Sequence, residues 1–199
     1  MKPRTIRVTM LLLAVSLAIF ITVRVHLSRN RAEEFLRDTS RLTVGKTGYR
    51  DAEAILAPYR HHLSYSDRCT PEHCLILFVF KNTWLRLLHL APAASFGGTL
   101  VFENDVLVAR ITLLGQGECC EGHITESTSF AEPANPANPD FSVRLERDKT
   151  GHPQKATVEL TPKATSPQRQ EAYDVNLSCL SKIGGCSAEE LLPSVWARK

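Results

Sequence analysis

Metal coordination is the first chemistry that residue type and spacing raise. His61, His62, Cys69, His73 and Cys74 fall within 14 residues. Thiolate and imidazole are the donors that zinc and copper prefer. A second dense stretch, GECCEGHITES from Gly117 to Ser127, adds Glu118, Cys119, Cys120, Glu121 and His123. The candidate ligands are therefore Cys69, His73, Cys74, Cys119, Cys120 and His123. Their spacing argues against a structural zinc finger, which repeats short C-x-x-C-like knuckles. Here one cysteine pair is vicinal and another has six residues between its members. A solvated polar loop is the simpler expectation for the histidines, and an acidic, disulfide-pinned loop for 117–127. The sequence thus assigns no metal and no other cofactor.

The second chemistry is thiol oxidation. All six cysteines, Cys69, Cys74, Cys119, Cys120, Cys179 and Cys186, are disulfide candidates. An even set in three close pairs fits an oxidising compartment. Cys69–Cys74 and Cys179–Cys186 can close across short loops. For Cys119 and Cys120 long-range bridges are expected, because a bond between adjacent cysteines is strained. A thioredoxin-like activity lacks its C-x-x-C motif.

Motifs for other chemistry are missing. There is no G-x-S-x-G, H-E-x-x-H or G-x-G-x-x-G, so no catalytic residue is assigned. Gly45-Lys46-Thr47 lacks the upstream glycine with which a phosphate loop wraps its ligand. Metal-binding or thiol-redox chemistry, and a hydrolase without a recognisable motif, remain the alternatives to a non-enzymatic protein.

Charge says where the chain sits. The 199 residues carry 24 Lys plus Arg against 21 Asp plus Glu, a net charge of +3. That excess is too small for a polybasic nucleic-acid binder. All of it precedes the uncharged run Val8–Val23, because Lys2, Arg4 and Arg7 come before the first acid, Glu33. The run has 16 residues, about 24 Å of helix, short of a hydrocarbon core of about 30 Å. It reaches sufficient length only if Arg24 and His26 snorkel toward the headgroups. No small-x-small cleavage site follows, so an uncleaved single-pass anchor is expected rather than a signal peptide. Secretion after cleavage is the alternative. Basic residues flank the run on both sides, and the cysteines break the tie in favour of a domain outside the cytoplasm. The expected organisation is a basic cytoplasmic cap at 1–7, a transmembrane helix at 8–27, a stalk and linker at 28–48, and one extracytoplasmic domain at 49–199.

Within that domain, Arg50–Ala57 reads as a helix ended by Pro58. Leu75–Phe80, LILFVF, reads as a central strand buried on both faces. Asn82 is the expected N-cap of a helix over Thr83–Leu90 that turns Trp84, Leu85, Leu87 and Leu88 to the core or an interface. Asn104-Asp105 is a two-residue hairpin turn that sets Phe102 opposite Leu107 and Leu100 opposite Ala109. A second hairpin pairs Phe141, Val143 and Leu145 with Ala156, Val158 and Leu160. Residues 131–140, with prolines at 133, 136 and 139, form a stiff loop. Thr161–Gln170 reads as a polar connection, Asp174–Cys179 as a last strand, and Ser187–Glu190 as a capping box. The expected fold is α+β, with a mostly antiparallel sheet of about five to six strands behind one apolar helix. The expected role is a structural or protein-interaction one in the envelope, with the membrane and a protein as partners and no nucleic acid.

Overall fold

A single helix carries the chain from the apolar run into the core. The computed structural model describes residues 3–67, 69–70, 72–116, 119–130 and 138–198, without the side chains of 3–7 and 119–120. In it α1 (Pro3–Thr39) is unbroken over 37 residues, about 55 Å. Its exposure changes abruptly along its length. Val8, Leu11, Leu13, Ile19 and Val23 are each more than half exposed, whereas Val25, Ala32 and Phe35 are 5%, 0% and 2% exposed. Val25, Ala32, Phe35 and buried Thr39 recur at helical spacing and form one inward face. Within residues 28–48, expected as stalk and linker, Phe35, Leu42 and Val44 are core residues.

The helix lies on a seven-stranded sheet. Its strands are β1 (Leu63–Ser66), β2 (His73–Lys81), β3 (Ala94–Glu103), β4 (Val106–Gln116), β5 (Cys119–Ser127), β6 (Phe141–Arg147) and β7 (Pro153–Leu160). The spatial order is β1-β2-β3-β4-β5-β7-β6, and every neighbouring pair is antiparallel except β5 with β7. The fold is α+β, as expected, with seven strands where five to six were predicted. β1 was missed because all four of its residues are exposed. β5 was missed because its inward positions Gly122, Ile124 and Glu126 include only one large apolar residue. The predicted strand at Asp174–Cys179 is absent; a 3₁₀ turn at Leu177–Leu180 stands there, with Asn176 accepting from the amide of Ser178 at 3.1 Å.

Alternation decides which sheet face is covered. On β2, Cys74, Ile76, Phe78 and Phe80 are buried, while Leu75, Leu77 and Val79 are half-buried on the opposite face. β2 is thus one-sided and lies next to the edge, where a two-sided central strand was predicted. Its inner row meets Phe96, Leu100 and Phe102 of β3 beneath Phe35. Gly98 lets the helix approach: a Cβ there would lie 2.8 Å from Phe35 Cζ.

Five short helices close the inner face or its ends: α2 (Tyr49–Leu56), α3 (Thr83–Leu87), α4 (Ser166–Ala172), α5 (Ala188–Leu191) and α6 (Pro193–Trp196). α2 and the capping box of Ser187 with Glu190 are where the sequence places them. α4 falls in the predicted polar connection, and Thr165-x-x-Gln168 is the capping box that marks it. α3 is shorter than expected, and Asn82 makes no cap bond. Its side chain instead accepts from the Ala94 amide at 2.8 Å and donates to the Pro92 carbonyl at 2.9 Å, closing the loop that leads into β3. Of Trp84, Leu85, Leu87 and Leu88, expected at the core or an interface, Leu85 is in the core and the other three are exposed.

Asn104 and Asp105 form the β3–β4 turn, with φ of 49° and 62°, the left-handed values that this turn needs. Asn104→Ala is expected to lower stability by about 1–2 kcal/mol, read as a lower denaturant midpoint; an unchanged midpoint would show that the turn is unstrained for alanine. The register departs from expectation one step further on. Phe102 faces Leu107, but a bulge then shifts the pairing so that Val101 faces Ala109 and Leu100 faces Arg110. The second hairpin has the predicted register.

Candidate functional site

The structure does not bring the candidate ligands together among the described residues. Cys69 and Cys74 are joined by a disulfide, as are Cys179 and Cys186. Neither sulfur of the first pair is then free as a thiolate. His73 is exposed, its ring 3.9 Å from the Asp67 carboxylate. Cys119 lies across the sheet opposite Gln116, which in turn faces Ala94. Cys74 faces Phe102 at the other end of β3. Eight residue steps along β3, from Ala94 to Phe102, separate those two rows, about 26 Å of strand. His123 faces Leu113 and Thr157 in the middle of the sheet, and its Nε2 is 2.9 Å from Thr125 Oγ1. Burial, then the charge of Lys155, holds its pKa below the usual histidine value. Among the described residues, no group of three or more His, Cys, Asp or Glu is placed to hold a metal.

The two local bridges also correct the expectation for Cys119 and Cys120. With four of the six cysteines paired, no long-range partner within the chain is left for either. Their side chains, Glu118, and the prolines at 133 and 136 lie outside the described residues. Glu121, on the same strand, is half-buried; burial raises its carboxyl pKa, and its Oε2 has no hydrogen-bond partner.

The β4 bulge builds what the sequence did not reveal. Leu107 points inward from an odd position, but after the bulge the inward residues are Arg110, Thr112 and Leu114. The one basic residue between Leu87 and Asp140 therefore enters the core, 6% exposed. Directly opposite on β5 stands Glu126, 2% exposed. Arg110 Nη2 donates to Glu126 Oε2 at 2.5 Å, and its Nε donates to the Tyr173 hydroxyl at 3.2 Å. Arg169 of α4 donates to the other carboxylate oxygen, Oε1. The Arg110 guanidinium also lies over the Tyr173 ring, 4.7 Å from its centre. Burial pushes the Tyr173 hydroxyl up to about 12, with Arg110 opposing the rise.

Arg110 has one more partner: its Nη1 donates to the carbonyl of Thr39, the last residue of α1. A helix end carries carbonyls without intrahelical donors and a partial negative charge. The Thr39 carbonyl also accepts from the Leu42 amide at 3.1 Å, and Arg110 is its second donor, so the network fastens the end of the apolar helix to the middle of the sheet. Tyr59 adds a second fastening, donating to Asp38 Oδ2 at 2.6 Å.

An open depression of about 710 Å³ adjoins this network between α4 and α6. Two of its carboxylates have neighbours within it: Arg198 Nε lies 2.8 Å from Glu171 Oε1, and Ser194 donates to Asp174 Oδ2 at 2.5 Å. The buried charges thus serve the joint between helix and sheet. One helix among the described residues is long and apolar enough to cross a membrane, and that joint holds it to the domain. No family model matches the chain, and neither a curated protein nor a solved structure matches it.

Proposed function

We propose that this protein is a single-pass, membrane-anchored domain that stands outside the cytoplasm and acts in the envelope through structural or protein–protein contacts rather than catalysis. The observation that carries the reading is the change of exposure along α1, apolar and largely bare up to Val23 and with one face buried in the domain from Val25. An apolar surface this long is unfavourable in water and stable in lipid. Two disulfides in the domain support the oxidising side as its location. The organisation proposed with it is cap 1–7, span 8–27 and the remainder outside, with residues 28–48 packed against the sheet. The half-buried rows Leu75, Leu77 and Val79 on β2 and Ile111 and Leu113 on β4 leave an apolar outer sheet face, the kind of surface that protein contacts use.

A reporter fused after Lys199 tests the topology. A phosphatase that folds only in an oxidising compartment is expected to be active there, and activity of a cytoplasmic reporter alone would overturn the placement. Thiol counting on the denatured chain provides a separate check. At most two thiols, those of Cys119 and Cys120, are expected to react before reduction. Four or more reactive thiols would remove the oxidising compartment from the argument.

A further inference from the structure

We infer that the tip of the domain, α3 with its following turn and the loop at Ile183, is embedded in the outer leaflet of the membrane that α1 crosses. This rests on the anchor reading above and adds a second, lateral contact with lipid. The tip is apolar and uncovered: Trp84, Leu87, Leu88, Leu90 and Ile183 are 36%, 66%, 40%, 43% and 69% exposed. Trp84, Leu88, Leu90 and Ile183 come from two separate parts of the chain, yet they gather around the same stretch of α1. The rings of Trp84 and Phe20 meet edge to face at 5.4 Å. A groove of about 500 Å³ runs between helix and tip, with Ala14, Ala18 and Ile21 on one wall and Leu88, Leu90 and Ile183 on the other.

Length makes the occupant lipid. The groove reaches from Val25 down to Ala14, about 16 Å along the helix axis. If the tip stood in water, all of that stretch would stand in water with it. Only Val8–Leu13 of the apolar run would remain for the bilayer, about 9 Å of helix against a hydrocarbon core of about 30 Å. Lowering the tip into the leaflet removes the conflict. It also extends the 16-residue apolar surface sideways onto the domain, which offsets the shortness of the run.

Charge sets the depth. Arg24, Lys81 and Arg86 are exposed, and none forms an ion pair with a described residue. Arg24 and Lys81 share one cleft with Trp84, and Lys81 and Arg86 line the next. The guanidinium of Arg24 lies 5.2 Å from the centre of the Phe20 ring. Cations above an apolar tip match headgroup phosphates above acyl chains, and tryptophan favours the boundary between them.

The test uses the full chain in vesicles of phosphatidylcholine with phosphatidylglycerol, comparing wild type with Trp84→Phe. The emission difference between them isolates Trp84 from Trp196, the second tryptophan. Bromine on the upper acyl carbons is expected to quench that difference signal strongly, while aqueous acrylamide quenches it little. The Leu87→Glu/Ile183→Glu variant changes two exposed residues and is expected to reverse the pattern. Carbonate extraction of the wild type reports on the anchor separately. Release of the protein would overturn both readings. Retention with acrylamide quenching and no bromine quenching would overturn the embedded tip alone. Retention with neither form of quenching would show the tip covered by protein, a second copy included, and would also overturn it.

Discussion

Phe35→Ala is expected to destabilise the domain by about 3–5 kcal/mol, the range for deleting a buried phenylalanine. The high end is expected because the side chain sits at the centre of an aromatic cluster. Its ring centre lies 5.2 Å from that of Tyr59, 5.1 Å from Phe78, 5.3 Å from Phe80 and 6.1 Å from Phe96. Gly98 beneath it has no side chain with which to fill the space. The measurement is a guanidinium midpoint for the full chain in detergent micelles, followed by near-ultraviolet circular dichroism. Phe20→Ala on the exposed part of the same helix is the control, and it should leave the midpoint nearly unchanged. A loss below about 1 kcal/mol for Phe35→Ala would mean that the second half of α1 is not part of the core.

Glu126→Leu is expected to have an effect of similar size by a different route. It leaves Arg110 buried beside the Tyr173 hydroxyl and the Thr39 carbonyl with no anion to balance it. Breaking a buried pair from one side costs about 3–5 kcal/mol. Arg169 also loses its carboxylate, but it is partly exposed and can turn to water. The Arg110→Leu/Glu126→Leu double variant separates this account from simple loss of packing. Replacing both partners removes the stranded charge, so the double variant is expected to be more stable than Glu126→Leu alone. If it is less stable than either single variant, the ion pair contributes through its own attraction, and the stranded-charge account fails.

The two variants also mark where the sequence was legible. The apolar run, the capping box at Ser187, the Asn104-Asp105 turn and the second hairpin were readable because each is a local pattern with a local physical cause. Arg110 was not. An arginine within VLVARITLL reads as an outward residue of an alternating strand, and only the bulge after Leu107 turns it inward. That bulge has no glycine or proline to announce it. Glu126 was hidden in the same way, since an acid in a polar strand reads as solvated until its neighbour across the sheet is known. Residues 28–41 read as a charged helix, a stalk or a first surface helix, with Arg29, Arg31, Glu33 and Glu34 on its surface. They do lie there, in the pairs Arg29–Glu33 and Arg31–Glu34. The opposite side of the same turns carries Ala32 and Phe35. The histidine- and cysteine-rich stretches raise metal chemistry because each is dense in sequence, and the sheet then sets Cys74 and Cys119 at opposite ends of β3.

The unbroken helix has a consequence for how the domain meets other molecules. A globular domain tethered to a bilayer by 20 flexible residues would roam about 25 Å from its tether point and could rotate to present any face. Here no such leash exists between Val23 and the core. The apolar rod proposed to cross the lipid is the same rod that Phe35 and Arg110 hold. Height above the bilayer and the direction of each sheet face are therefore set by the tilt and rotation of one helix. For the anchored protein proposed above, lateral diffusion is the search that remains, and any molecule it contacts would have to present its surface at that fixed height and angle.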